Sequence, residues 1–175
     1  MGSVGLAERV PLYDRACGSA VTRFDQRRQD LIDAVLKPNS GTPLNHLNFA
    51  STLSEDLNLP EFKKSVEAVV RAISITNKYA EDSQAAKVKK ESLTHEAELA
   101  LYQALEAMAL DSESSPQQYL KTLYQLESSI TAFFDGVMVM DENPVFRSNR
   151  LALCNRLSQW SSKHLDLREI IFPGD

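Results

Sequence analysis

A chain of 175 residues is long enough to bury one sizeable hydrophobic core. Its composition, 43% apolar and 25% charged, is that of a folded globular protein and excludes wholesale disorder. The net charge of −5 argues against tight, non-specific binding to nucleic acid, although a local basic face could still bind one.

The cysteines, the apolar runs and the N-terminal residues indicate the cellular compartment and the bounds of the domain. The two cysteines, Cys17 and Cys154, have neither metal-ligand spacing nor the density of a disulfide scaffold, so we expect a reducing compartment. No segment approaches the run of about 20 apolar residues that a membrane helix needs, and we expect no membrane partner. Residues 1–6 lack the charged and apolar regions of a secretory signal. Residues 1–11 are predicted to be disordered or derived from an expression vector, and residues 12–175 to form one helical domain.

Apolar residues recur at helical spacing through the first half of the chain. The first predicted helix runs from Asp14 to Leu36, and the Pro- and Gly-containing residues 37–43 end it. A shorter helix covers Leu44 to Leu57. Pro60 then stands at a first helical turn, and an apolar stripe continues to about Tyr79.

The middle of the chain alternates between breaks and helices. Residues 80–92 are charged and weakly periodic, which predicts a loop with helical turns. Thr94 and Glu98 favour the start of a fourth helix. Residues 111–116 form a clear break, Pro116 opens a fifth helix, and Gly136 is predicted to close it.

The last predicted helix has Asn143 as its cap, Pro144 at its first position and apolar residues to Trp160. No alternating strand pattern competes, apart from the short run at residues 137–140. The sequence therefore predicts an all-α fold, a single bundle of about six helices.

The residues that catalysis requires do not come together in any recognisable pattern. There is no Gly-rich phosphate loop, nucleophile elbow or paired-Cys metal motif. The histidines, His46, His95 and His164, lie far apart in different segments. We therefore expect no catalytic residue, no metal site and no bound cofactor in this chain.

Two runs near the C-terminus are far more specific. They are Ala132-Phe133-Phe134-Asp135-Gly136-Val137-Met138-Val139-Met140 and Arg147-Ser148-Asn149-Arg150-Leu151-Ala152-Leu153-Cys154-Asn155-Arg156-Leu157. Both resemble the C-terminal anticodon-binding domain of bacterial-type glycyl-tRNA synthetase β subunits, and the resemblance extends over roughly residues 12–173. That fold is named after an Asp-Ala-Leu-Arg motif and is shared with arginyl-tRNA synthetases. The motif reads Pro144-Val145-Phe146-Arg147 here, so only its Arg matches.

The resemblance implies a module that binds the anticodon arm of a glycine-accepting tRNA. The parent enzyme would join glycine to tRNA with ATP and Mg²⁺. Its catalytic α subunit or region and the remainder of the β subunit are the implied protein partners, and DNA is not a partner. Such an enzyme would be cytoplasmic in a bacterium, and in the chloroplast or mitochondrion of a plant or alga. The chain is then expected to be a fragment, an excised domain or a standalone relative.

Basic and polar side chains supply the candidate RNA contacts. The third helix carries three cations spaced seven residues apart: Lys64, Arg71 and Lys78. Three lysines fall in the predicted loop that follows: Lys87, Lys89 and Lys90. Three residues lie outside the apolar arc of the last helix: Asn149, Arg156 and Lys163. Cations on one face can follow phosphates. The competing interpretation is a solvated face, and Glu67 interrupts the first set.

Arg147 and Arg150, by contrast, fall inside the apolar arc and are predicted to be structural. A buried Arg is usually paired with a carboxylate because an unpaired buried charge is costly, and Asp135 and Glu127 are the expected partners. In the other interpretation Arg150 is itself an RNA contact.

Aromatic side chains could stack on unpaired bases. Tyr79, Tyr124 and Trp160 are candidates, whereas Phe133 and Phe134 are predicted to be core residues.

Two alternatives to the tRNA-binding module stay open. One is a helical protein-interaction or scaffold domain derived from the same fold, which the acidic net charge and the altered motif favour. The other is an arginyl-type anticodon-binding domain. The run from Ala132 to Leu157 favours the glycyl tRNA-binding module over both.

Overall fold

The structure is a computed structural model that describes residues 28–38, 42–85, 87–108 and 115–173. Within these ranges all regular structure is helical, which confirms the predicted all-α class. The α-helices are α1 (Gln29–Leu36), α2 (Pro43–Asp56), α3 (Pro60–Lys78), α4 (Ala80–Ala85), α5 (Glu96–Met108), α6 (Pro116–Gly136) and α7 (Pro144–Ser162). Two 3₁₀ turns cover Lys90–Ser92 and Leu167–Glu169. The predictions for residues 1–27, including Cys17, lie outside the described residues.

Side-chain caps and prolines explain where several helices begin. The Thr42 hydroxyl accepts the N–H of Asn45 at 3.3 Å at the start of α2. The Ser115 hydroxyl accepts the N–H of Gln118 at 3.2 Å at the start of α6. Asn143 Oδ1 accepts the N–H of Val145 at 2.9 Å, which confirms the predicted cap of α7. Each of these helices has proline at its first position, where the missing N–H costs nothing.

The N-terminus of α5 is capped by a carboxylate instead of a hydroxyl. Glu98 Oε2 accepts the N–H groups of Thr94 at 2.8 Å and His95 at 2.9 Å. His95 Nδ1 accepts the N–H of Ala97 at 3.2 Å. These bonds satisfy amides that a helix N-terminus leaves without partners. The helix therefore begins at Glu96, two residues after the predicted Thr94.

Gly136 is the last residue of α6, so the helix ends where the sequence predicts. Its φ lies outside the left-handed region, so it does not end the helix as a left-handed cap. Instead, a Cβ on Gly136 would lie 2.9 Å from Cε1 of His95. A side chain at position 136 would therefore require the exposed His95 imidazole to shift.

The described helices fall into two compact units: α1, α2 and the second 3₁₀ turn belong to the first, and α3 to α7 belong to the second. In the described part of the first unit α1 packs on α2 and on the second 3₁₀ turn. Asp166 joins these elements, because its N–H donates to the carbonyl of Ala34 at 2.8 Å. Its carboxylate pairs with Lys37 at 3.0 Å and with Arg168 at 2.7 Å.

The second unit is built around α6, which packs against α3 on one side and α5 on the other. Residues spaced three and four apart on each helix are buried, including Phe62, Val66 and Val69 of α3 and Leu101 and Leu105 of α5. Helix α7 meets α6 through the rings of Trp160 and Tyr119, which stack with centroids 4.9 Å apart. None of the helices in the described ranges combines the length and apolar character that crossing a membrane requires.

Candidate nucleic-acid interface

The three cations of α3 form an exposed stripe, which we call the α3 stripe: Lys64, Arg71 and Lys78. Glu67, which interrupts the stripe, lies one turn from Lys63, and its carboxylate oxygen is 3.9 Å from that ammonium. This pairing compensates part of the negative charge beside the stripe.

Arg71 is the most strongly positioned of the three. Its guanidinium lies 4.5 Å from the centroid of the Phe134 ring. Phe134 was predicted to be a core residue, but it is only half-buried, and it forms an edge contact with the fully buried Phe133 at 5.2 Å. The ring therefore serves as a platform that orients Arg71. No carboxylate in the described part of the chain pairs with this guanidinium.

The two ends of the α3 stripe differ. The Lys78 ammonium lies 5.5 Å from the Tyr79 ring centroid at the C-terminal end. Lys64 borders an open depression of about 470 Å³ that is also lined by Glu61, Glu127 and Tyr124. Two carboxylates make this depression unfavourable for a phosphate, so Arg71 and Lys78 form the more favourable end of the stripe.

The second cationic group follows α4. Lys87, Lys89 and Lys90 are all exposed. The backbone of Lys89 is held by the Asn149 amide, whose Oδ1 accepts the Lys89 N–H at 2.7 Å and whose Nδ2 donates to the Lys89 carbonyl at 3.1 Å. These two bonds hold residues 87–90, which we call the lysine segment, against α7.

Asn149 itself corrects an expectation. It was placed outside the apolar arc as an RNA contact, yet it is 4% exposed and its amide is bonded to Lys89. Residues 149–155 are buried without interruption, so this part of α7 has no solvated face. We therefore assign Asn149 to positioning the lysine segment.

The two other candidates of the C-terminal region remain accessible. Arg156 is half-buried, with Nη1 2.6 Å from Glu106 Oε1 and its guanidinium carbon 5.7 Å from the Tyr102 ring centroid. Lys163 is exposed and belongs to the first unit.

Arg150 is buried at the centre of a polar cluster. Its Nε donates to Glu98 Oε1 at 2.5 Å, and its Nη1 donates to Asp141 Oδ2 at 2.6 Å and to the Met138 carbonyl at 3.0 Å. The partners differ from the expected Asp135 and Glu127. Arg147 is half-buried and donates to the Asp141 carbonyl at 3.0 Å.

Ionisation of the cluster follows from these contacts. Burial opposes ionisation of Glu98, but hydrogen bonds from Arg150 and from the N–H groups of His95 and Thr94 hold its pKa below the usual value. The Asn143 N–H and the Arg150 guanidinium lower the pKa of Asp141. Nearby, burial raises the pKa of the Cys154 thiol to about 12, so this cysteine is protonated at neutral pH.

An uncharged cleft of about 180 Å³ lies among α5, α6 and α7. Its polar side chains come from one face of α6: Gln118, Thr122 and Gln125. Trp160 of α7 and Met108 of α5 also line it. Of these residues, only Trp160 was predicted from the sequence as a candidate contact, and the α6 residues were not. Their spacing of four and three was the available signal, since it places polar groups on one side of an otherwise apolar helix.

Comparison with known proteins gives a consistent result. Residues 66–173 match the DALR anticodon binding domain. The glycine–tRNA ligase β subunits of Streptococcus pneumoniae strains 70585 and JJA are each 34% identical to this chain over 142 residues. That alignment covers 81% of this chain and 20% of each relative, so the chain spans about a fifth of the length of these curated relatives.

The family match begins within α3 and continues through the second 3₁₀ turn. It includes Arg71, Lys78, the lysine segment, the buried Arg150 cluster and the uncharged cleft. The resemblance predicted from residues 132–157 is thereby confirmed. The chain belongs to the family of DALR anticodon binding domains.

Proposed function

We propose that this chain binds the anticodon arm of a glycine-accepting tRNA as a module of a glycine–tRNA ligase β subunit. The observation that carries the proposal is the exposed α3 stripe, with Arg71 held on Phe134, in a chain of an anticodon-binding family. The catalytic α subunit or region and the remainder of the β subunit would be its protein partners. In this proposal ATP and Mg²⁺ act in the parent enzyme, and this chain holds no cofactor.

The α3 stripe has the geometry to follow an RNA backbone. Seven residues of α-helix rise about 10.5 Å, so the three cations are distributed over about 21 Å of one helix face. Each can meet a different phosphate. Phosphate contacts fix the position of the RNA and make its affinity depend on salt, whereas base contacts provide specificity.

Arg71 is expected to contribute most. Its guanidinium has a planar set of donors that suits phosphate oxygens, and the Phe134 ring already restricts its orientation. Less conformational entropy is therefore lost when it binds. Lys64 is expected to contribute least, because Glu61 and Glu127 share its depression.

The remaining cations would extend the surface. Asn149 fixes the backbone of the segment that carries Lys87, Lys89 and Lys90, while the lysine side chains stay exposed. Arg156 and Lys163 are further candidate contacts. Arg156 would have to exchange or share its ion pair with Glu106 to reach a phosphate.

The proposal is tested by titrating the chain with a glycine-accepting tRNA transcript at several salt concentrations. Arg71→Ala and Lys78→Ala should each weaken binding and reduce the salt slope by about one unit or less. Their folding should stay nearly unchanged, because exposed substitutions usually alter stability by no more than about 0.5 kcal/mol. Lys121→Ala is the matched control, since Lys121 is an exposed lysine of α6 outside the candidate set.

The rival interpretation is a helical scaffold domain, which the net charge of −5 favours. It predicts no measurable tRNA binding, or the same binding for the wild type and all stripe variants. Either result would reject the proposed function. A transcript that accepts another amino acid, titrated in parallel, tests whether the binding is specific for the glycine-accepting tRNA.

A further inference from the structure

We infer that the uncharged cleft among α5, α6 and α7 receives one unpaired base of the bound RNA, which stacks on Trp160 while Gln118 and Gln125 contact the edge of the base. The inference rests on the proposed function. It identifies the place where the protein would read the base sequence of the bound RNA. The cleft is separate from the α3 stripe in both residues and chemistry.

The lining of the cleft favours a neutral ligand. None of the residues that line it carries a charge, so a phosphate would find no compensating cation there. Its volume of about 180 Å³ suits a single ring, since a protein cavity of roughly 150 Å³ can accommodate benzene. A pyrimidine, or the six-membered ring of a purine, matches this size.

The polar groups of the cleft are available for recognition. Gln118, Thr122 and Gln125 lie on one face of α6, and their polar side chains line the cleft. Each glutamine amide presents both donors and an acceptor, which is the combination needed at the edge of a base. Apolar contacts from Met108 and Leu126 would pack against the ring of that base.

Trp160 is held in a fixed orientation. One face of its indole stacks on Tyr119 with an interplanar angle of 9°. Tyr119 is fully buried, and its hydroxyl donates to the carbonyl of Ser161, the residue after Trp160. A rigid, half-exposed aromatic ring beside side-chain amides is the arrangement that stacks and reads unpaired bases.

The single tryptophan of the chain makes the test direct. Intrinsic tryptophan emission reports only on Trp160, so stacking of a base should change that emission. The probe is an anticodon stem-loop RNA, used intact and as a series in which each loop nucleotide in turn lacks its base. The intact RNA should change the emission, and one abasic position should abolish the change and weaken binding.

Substitutions distinguish the contribution of this cleft to RNA binding from that of the cationic surface. Gln118→Ala and Gln125→Ala should each weaken RNA binding about two- to tenfold without changing the salt slope. Trp160→Ala should weaken it about fivefold or more. Gln103→Ala is the matched control, because Gln103 is an exposed glutamine of α5 that does not line the cleft. The glutamine variants keep the test decisive if loss of Trp160 disturbs packing on Tyr119.

The outcomes distinguish the two proposals. RNA binding with unchanged emission and unaffected glutamine variants would overturn the cleft and leave the proposed function standing. An equal loss at every abasic position would also overturn the cleft. If the wild-type chain binds no RNA at all, the proposed function fails, and the cleft inference with it.

Discussion

Arg150 is buried because three acceptors compensate its charge. Glu98 lies at the start of α5, while Asp141 and the Met138 carbonyl lie in the connection between α6 and α7. One guanidinium therefore ties the last helix to two other parts of the second unit. The same Glu98 carboxylate also caps α5 through its other oxygen. Loss of the arginine would leave that carboxylate buried without its cation.

We expect Arg150→Ala to lower the free energy of unfolding by about 3–5 kcal/mol, the cost of removing one partner of a buried ion pair. Arg147→Ala is the comparison, because Arg147 is only half-buried and donates to a carbonyl. Its loss should cost about 1 kcal/mol. Urea denaturation of both variants measures the difference. If Arg150→Ala is as stable as the wild type yet does not bind tRNA, Arg150 is an RNA contact and not a structural residue.

The burial of Arg150 could be predicted from sequence, but its partners could not. The helical phase of the last helix places Arg150 among apolar residues, and buried arginine requires a carboxylate. The carboxylate that pairs with it, Glu98, lies 52 residues earlier. Helical periodicity describes each helix separately. It carries no information on which distant helix end meets that side chain, so the nearer Asp135 and Glu127 were chosen wrongly.

At the scale of helices, the C-terminus of α6 and the N-terminus of α5 fit closely. The imidazole of His95 occupies the space that a side chain at Gly136 would need. His95 also caps α5 through Nδ1. The absence of a side chain at Gly136 thus leaves room for the His95 imidazole between the two helix ends, a contact that the sequence alone did not reveal.

Gly136→Ala should therefore fail to give the gain expected from removing a helical glycine, which is roughly 0.5–1 kcal/mol. The clash with the imidazole should make this variant less stable than the wild type. In a His95→Ser background, where a smaller side chain can still cap α5, the same substitution should increase stability. Urea denaturation of the four proteins gives the coupling between the two sites. Equal effects of Gly136→Ala in both backgrounds would show that the two helix ends do not depend on this contact.

Helix positions were predicted well where caps and prolines mark the ends, as at Pro60, Pro116 and Pro144. Helical periodicity gave wrong predictions where the burial of a helix is not confined to a single face. Asn149 was assigned to solvent because a surface helix has one apolar side. Residues 149–155 are buried on every side, so amide and apolar side chains share the interior there. A polar residue on such a helix can be satisfied by backbone from a loop, which periodicity does not detect.

For the whole molecule, the negative net charge is compatible with the cationic candidates because net charge is a sum over the chain, whereas phosphate binding depends on local cations. Internal pairs such as Glu98 with Arg150 and Asp166 with Lys37 involve charges of both signs, and the α3 stripe and the lysine segment remain exposed. Family and fold were predictable because a long run of residues specifies them together. The uncharged cleft was not, because it requires α5, α6 and α7 to be assembled.

The internal pairs also determine how the protein responds to acid. In the first unit, burial opposes ionisation of Asp166, but Arg168 and Lys37 lower its pKa from 3.8 to about 2. In the second unit, the pKa of Glu98 is lowered by its hydrogen bonds despite burial. A carboxylate with a lowered folded-state pKa binds fewer protons in the folded chain than in the unfolded one. The stability that it contributes is complete above the unfolded-state pKa and disappears as the pH falls through the folded-state pKa.

We therefore expect Glu98 and Asp166 to make a constant contribution to the free energy of unfolding above about pH 5. This contribution should fall progressively from about pH 4.5 towards pH 2. Urea midpoints measured across this range test the prediction. Asp166→Asn should lower the free energy of unfolding at neutral pH by about 1–2 kcal/mol. This figure is reduced because Lys37 and Arg168 are partly exposed to solvent. The variant should also show a smaller decrease in the free energy of unfolding as the pH falls. Glu55→Gln, at an exposed carboxylate of α2, is the control and should leave the pH profile unchanged. An Asp166→Asn profile parallel to that of the wild type down to pH 2 would contradict the assignment of this acid sensitivity to the Asp166 pairs.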